Sequence, residues 1–224
     1  MKVLRIIAVM IGLLLLLNPI SCTTTQSNIP TTTISPRDSF VKLVFEKNGV
    51  STGSASGVII YHLEDNTFIL TAGHVCEPLN SQSYAMDLQS NKHRVLILKV
   101  SEETDLCLMV SMNRIDKPVS AIAKHMPKPG DKAYNIAAPF GIHDKNMVLH
   151  FEGYYSGRVT HPRLGYDLDM YTIPTRPGSS GSPVYNTRWE VIGITSMAFV
   201  SLENIGMMVP LESIQEFLKD LWDA

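Results

Sequence analysis

Basic residues are not in surplus in this 224-residue chain: 19 Lys and Arg stand against 21 Asp and Glu, a formal net charge of -2. Without excess cations to neutralise phosphates, the composition argues against a dedicated nucleic-acid binder. Charge of either sign is sparse, 18% against 45% hydrophobic residues, so most of the chain can bury a core. Cysteine is scarce, at three. His74-Val75-Cys76 offers two ligand types but no second pair at metal-site spacing, so no metal and no cofactor are expected. Helical periodicity is nearly absent and no internal repeat is visible. Nor does any apolar run reach the ~20 residues that a membrane-spanning helix needs.

The longest such run, residues 6–17, is interrupted only by Gly12. It follows a short basic start, Lys2 to Arg5, and ends at Asn18-Pro19 before Ile20-Ser21-Cys22. That order is the signature of an export signal over residues 1–21. The segment resembles a lipobox, with Cys22 as the acylated cysteine and Pro19 where the pattern prefers Leu. Simple secretion or an uncleaved anchor are the alternatives. Residues 22–38 are rich in Thr and carry Pro30 and Pro36 without hydrophobic periodicity, which reads as a tether. Either route places the remaining domain, 39–224, outside the cytoplasm, held to a membrane if Cys22 is acylated.

From residue 39 the texture is short β-rich runs between turn residues. Phe40 to Glu46 alternates, with Val41, Leu43 and Phe45 on one face. Residues 53–62 and 67–71 form a hairpin around Glu64-Asp65-Asn66, and 94–100 and 106–111 follow. After a crossing segment, 118–129, come runs at 132–137, 147–159, 168–173, 183–185, 190–197 and 205–209. The expected class is all-β: two six-stranded antiparallel barrels. One helix closes the chain, with Leu211, Ile214, Phe217, Leu218, Leu221 and Trp222 as an apolar stripe behind Pro210.

Three segments carry chemistry. Thr71-Ala72-Gly73-His74 leaves an apolar strand, and a histidine there combines rigid support with access to solvent, suiting a general base. Asp105 stands immediately before the strand Leu106-Cys107-Leu108-Met109, where a part-buried acid can fix an imidazole tautomer. In Pro177-Gly178-Ser179-Ser180-Gly181-Ser182-Pro183, glycines allow a tight turn around a serine nucleophile. The amides of Gly178 and Ser180 can there receive an oxyanion, each donor lowering the barrier by ~3 kcal/mol.

TAGH, DLCLM and GSSGSP, in the order His, Asp, Ser, resemble the signature segments of the trypsin-like, chymotrypsin-fold serine peptidases. Within them the chain is similar to the protease domain of bacterial high-temperature-requirement peptidases. The shared features include the triad spacing and the ending Val191-Ile192-Gly193-Ile194 followed by 205–210. The resemblance implies a serine endopeptidase acting on exposed polypeptide through an acyl-enzyme, with His74, Asp105 and Ser180 as triad. It also implies that Ser196 supports Asp105, and it allows a homo-oligomer. No peptide-binding (PDZ-type) domain is expected after the helix. A catalytically silent binding protein on the same fold is the alternative.

Several family features are missing. Ser179 stands where digestive-type relatives carry an acid, and no Ile-Val-Gly-Gly start is present, so activation by a new amino terminus is not expected. Ser182 replaces the usual glycine. No acid occupies the pocket base, formed by Pro174 and Thr175 with Met197 on a wall, which disfavours cleavage after Lys or Arg. Met197, Met207 and Met208 either line an apolar pocket or fill the second barrel. Cys76 and Cys107 each lie two residues beyond a triad member, in neighbouring strands; a disulfide and two free buried thiols both remain open.

Overall fold

Three segments of the first half, Gly57-Val58-Ile59-Ile60-Tyr61, Phe68-Ile69-Leu70 and Leu106 to Val110, are continuously apolar rather than alternating. In a computed structural model describing residues 35–76, 81–161, 164–199 and 202–222, they are strands buried on both faces. One face (Ile59, Ile69, Met109) fills a barrel. The other (Ile60, Phe68, Leu70, Leu108, Val110) packs against a second barrel and a helix.

The first barrel is closed and antiparallel. Its strands are β1 (Phe40–Lys47), β2 (Val50–Leu63), β3 (Asn66–Ala72), β4 (Gln82–Met86), β5 (Lys92–Ser101) and β6 (Leu106–Ser111), ordered β1-β2-β3-β6-β5-β4. The second uses β7 (Lys132–Ala137), β9 (Met147–Thr160), β10 (Asp167–Tyr171), β11 (Pro183–Tyr185), β12 (Val191–Ala198) and β13 (Gly206–Pro210). Pairing of β9 with β10 closes this ring of six, and the two-residue β8 (His143–Asp144) extends it as a hairpin on β9. The single helix among the described residues, α1 (Leu211–Trp222), follows β13 directly. Leu211, Ile214, Phe217 and Leu218 are buried. Near its carboxyl end, Lys99 of β5 donates to the Phe217 carbonyl at 2.9 Å, placing a cation toward the negative end of the helix dipole.

The expected class, two six-stranded barrels with a carboxy-terminal helix, is therefore the observed one. Val41, Leu43 and Phe45 do share the interior of the first barrel. β4 and β8 were not anticipated. Residues 36–38, which the sequence reading places in the tether, join Ser39 in a 3-10 turn. Buried Ser39 and Ser120 hydrogen-bond through their hydroxyls at 2.5 Å, and Tyr185 of β11 reaches Ser120 at 3.0 Å. Burial pushes the Tyr185 phenol up to about 12, so it stays a neutral pin between the barrels. The expected signal segment, Cys22 and the expected tether up to residue 34 lie outside the described residues.

A buried charge holds β9, β10 and the helix together. Asp169 is fully buried, and Arg158 donates to it at 2.8 and 3.3 Å while reaching Glu212 of α1 at 2.9 and 2.7 Å. Burial pushes the Asp169 carboxyl up, and the guanidinium only partly reverses this.

Candidate active site

The register of two strands brings the first pair of candidate side chains together. Ala72 of β3 pairs with Leu106 of β6. The chain leaving β3 and the chain entering β6 therefore lie side by side, with His74 in the 3-10 turn Gly73–Cys76 and Asp105 one residue ahead of β6. Asp105 adopts a left-handed φ of 50°, a conformation that Asp tolerates better than most residues. One carboxylate oxygen accepts from the His74 amide at 2.8 Å, and both lie against His74 Nδ1 at 3.0 and 3.1 Å. From the second barrel, Ser196 donates its hydroxyl to the other oxygen, Oδ2, at 2.5 Å. A bulge in β12 between Thr195 and Met197 aims Ser196 there.

Burial pushes the Asp105 carboxyl up. The His74 hydrogen bond and charge, then Ser196 and the His74 amide, outweigh it and hold the group below its usual range. Asp105 thus remains an anion beneath a ring that is 43% exposed. Tyr166, on the β9–β10 loop, also bonds Ser196; burial first and the Asp105 charge second raise its phenol. Nothing in the sequence around Tyr166 marks it, because its partner is a strand 30 residues away.

Cys76 and Cys107 form a disulfide across the same two segments, with Cα atoms 6.3 Å apart. Cys107 lies in β6, but Cys76 belongs to the 3-10 turn rather than to a strand as expected.

Ser180 sits in the turn between β10 and β11. Gly178 takes φ +93°, and a Cβ there would stand 2.7 Å from the Ala138 carbonyl. At Gly181, φ is +83°, and a Cβ would overlap the Thr71 hydroxyl and the Ser56 carbonyl. Both positions require glycine. The N–H groups of Gly178 and Ser180 donate to no protein acceptor among the described residues, although their neighbours do: Ser179 to Arg176 O at 2.9 Å and Gly181 to Thr195 O at 2.7 Å. Unpaired amides beside a serine are available to an anion. Ser180 Oγ lies 3.5 Å from the Ser196 carbonyl. Ser182 is buried and hydrogen-bonds Thr195 Oγ1 and Asn135 Nδ2, both at 2.8 Å, which explains how a hydroxyl replaces the usual glycine there.

Beside the His74–Asp105 pair lies a cavity of about 510 Å³ lined by Val100, Glu102, Leu164 and Tyr166. Pro174 and Thr175 lead into the turn that carries Ser180. Thr175 is buried, and its hydroxyl has no partner among the described residues. Met197 is half-buried, whereas Met208 belongs to the core of the second barrel. Among the described residues no group of three His, Cys, Asp or Glu side chains is placed to hold a metal.

The family model described as "Trypsin-like peptidase domain" matches residues 55–194. Serine protease HTRA1A of Danio rerio is 28% identical over 194 residues, covering 81% of this chain and 37% of its own length. Serine protease Do-like HtrA of Bacillus subtilis is 25% identical over 180 residues, covering 76% and 39%. The chain thus spans well under half the length of these relatives. Among solved structures, a serine endoprotease from Yersinia pestis superposes with a TM-score of 0.68 at 22% identity, covering 83% of this chain and 63% of that one. The inactive form of Rv3671c from Mycobacterium tuberculosis gives 0.68 at 14% identity, covering 84% and 89%. These two likenesses concern the fold.

Proposed function

The chain belongs to the trypsin-like peptidase domain family, and from that premise we propose that it is a serine endopeptidase with His74, Asp105 and Ser180 as its catalytic triad. The observation that carries the reading is the junction of three elements. An ionised Asp105 is bonded to His74 Nδ1, Ser196 fixes it from the opposite barrel, and the turn bearing Ser180 presents two unpaired amides.

Each group has a defined task. Asp105 sets the tautomer with the proton on Nδ1, leaving Nε2 as the base. His74 takes the Ser180 hydroxyl proton as Oγ adds to the scissile carbonyl. The developing oxyanion is received by Gly178 and Ser180 N–H. His74 then gives the proton to the leaving amine, and an acyl-enzyme on Ser180 remains. Water, deprotonated by the same imidazole, releases the acid product and regenerates the hydroxyl.

The substrate class is exposed or unfolded polypeptide. Pro174, Thr175 and Met197 form the primary pocket, which has no carboxylate to bind Lys or Arg. The place of action is the cell envelope, with the chain exported and held to a membrane through acylated Cys22. Replacement of Cys22 by Ala is expected to release the protein from the membrane fraction.

The decisive experiment is fluorophosphonate labelling of the full chain and its Ser180→Ala variant, with digestion of an unfolded protein. Labelling and cleavage lost together in a folded variant support the reading. A folded wild type that neither labels nor cuts leaves the silent binding protein as the function.

A further inference from the structure

Ser56 of β2 is a buried serine in the barrel opposite Ser180, and both its N–H and its hydroxyl reach the turn that carries Ser180. Its N–H donates to the Ser180 carbonyl at 2.9 Å, and its hydroxyl donates to the Gly178 carbonyl at 2.9 Å. The same hydroxyl accepts from the Ala138 N–H at 3.1 Å. Its own carbonyl accepts from Thr71 Oγ1 at 2.8 Å.

These bonds matter because a peptide group is planar and trans: fixing its C=O fixes the direction of its N–H. The Pro177–Gly178 peptide has its C=O held by the Phe140 N–H at 2.6 Å, leaving the Gly178 N–H unpaired. The Ser179–Ser180 peptide has its C=O held by the Ser182 N–H at 2.9 Å, leaving the Ser180 N–H unpaired. Between them, the Gly178–Ser179 peptide is tied at both ends, by Ser56 Oγ and by Arg176 O. Ser56 therefore grips the central peptide that separates the two unpaired donors. Through Ala138 it also holds the start of the 138–142 segment, whose Phe140 N–H fixes the first of them. That segment is itself tied to β1, where Lys42 donates to Gly141 O at 2.7 Å, and Phe140 keeps a left-handed φ of 53°.

We infer that Ser56 is a positioning residue for the oxyanion hole: its hydroxyl, supplied by the first barrel, holds the Gly178 and Ser180 amides of the second in convergent orientation. The inference rests on the peptidase reading above. Loss of the hydroxyl leaves the Ala138 N–H buried without a partner and frees the central peptide. A site loosened by about 1 Å loses about 10²-fold in rate, and loss of a whole donor costs about 10²- to 10³-fold.

The test compares the full-length wild type, Ser56→Ala and Ser180→Ala on a peptide ester. It also measures their affinity for a peptide aldehyde, which forms an oxyanion on binding, and for the cleaved carboxylate product, which does not form a tetrahedral one. Thermal melts establish that each variant is folded. Ser56→Ala is expected to lose about 10- to 100-fold in kcat with KM within about twofold, to lose aldehyde affinity by a similar factor, and to keep product affinity. Should Ser56→Ala fail to fold, Ser56→Cys, whose thiol fills nearly the same space but bonds weakly, is expected to show the same split in smaller measure. Wild-type kcat and aldehyde affinity in the folded variant overturn the inference while leaving the peptidase reading intact. A folded wild type inert toward both ester and aldehyde overturns the two together.

Discussion

Ser196 donates its hydroxyl across the junction of the two barrels to Asp105 Oδ2 at 2.5 Å, so the acid that orients His74 is held from both sides. Replacing Ser196 by Ala removes one of the interactions that keep the Asp105 carboxyl low, and its pKa moves back up. The expected result is a loss in kcat/KM of about tenfold or less, the worth of one hydrogen bond to a charged group. The pH–rate profile should show a carboxylate limb shifted toward higher pH. A profile superimposable on the wild type would count against this role.

Activity should also disappear toward acid in the unaltered protein. The imidazole must be neutral to accept the Ser180 proton, so kcat/KM falls as it becomes protonated. Asp105, held below its ordinary 3.8, stays ionised through that fall and titrates only afterwards. A rate independent of pH would contradict the mechanism.

Stability should decline in two stages as pH falls. His143 is pushed below its ordinary 6.5 by burial first and the Lys42 charge second, partly opposed by Asp87 and Asp144. The unfolded chain therefore takes up this proton more readily, and stability drains as pH drops below 6.5 toward the folded value. Asp87 and Asp105 are both depressed in the fold, so their contribution is complete above 3.8 and is lost as pH passes down through their folded values. Melting temperatures between pH 7 and 3 measure both stages, and His143→Gln should shrink the first, leaving the share of His150, which burial also depresses.

Arg158→Ala is expected to destabilise by about 3–5 kcal/mol, because it strands the fully buried carboxylate of Asp169. Adding Asp169→Asn should recover part of the loss. Denaturant unfolding of the two variants gives the comparison directly.

The disulfide closes a 31-residue separation that contains β4 and β5. Its removal by Cys76→Ala with Cys107→Ala should cost about 3–4 kcal/mol by loop entropy. Because the cross-link spans the His74 and Asp105 segments, activity should fall alongside the melting temperature. Equal stability with and without reductant would argue otherwise.

Long-range and local signals differed in how far the sequence revealed them. β2, β3 and β6 are visible because burial on both faces makes them uninterrupted apolar runs, and α1 because its stripe has helical spacing. β4 is not: Gln82-Ser83-Tyr84-Ala85-Met86 buries little beyond Ala85, so it carries neither pattern. The glycines around Ser180 point to a tight turn, since their backbone angles admit few other residues. Ser56 gives no such signal. Its meaning comes from partners 82 and 122 residues away, joined only when the barrels meet. Ser182 likewise reads as a mere departure until Asn135 and Thr195 enclose it.

The division of the site between two barrels sets a timetable for a newly made chain. The amino-terminal barrel emerges first and can cross-link Cys76 to Cys107, yet it holds an acid and a base with nothing to activate. The second brings a hydroxyl and two amides, but their bracing comes from Ser56 on the other side. On the peptidase reading, neither half severs a peptide by itself. On the same reading, cutting power therefore arrives only with the finished fold, when the two barrels have met.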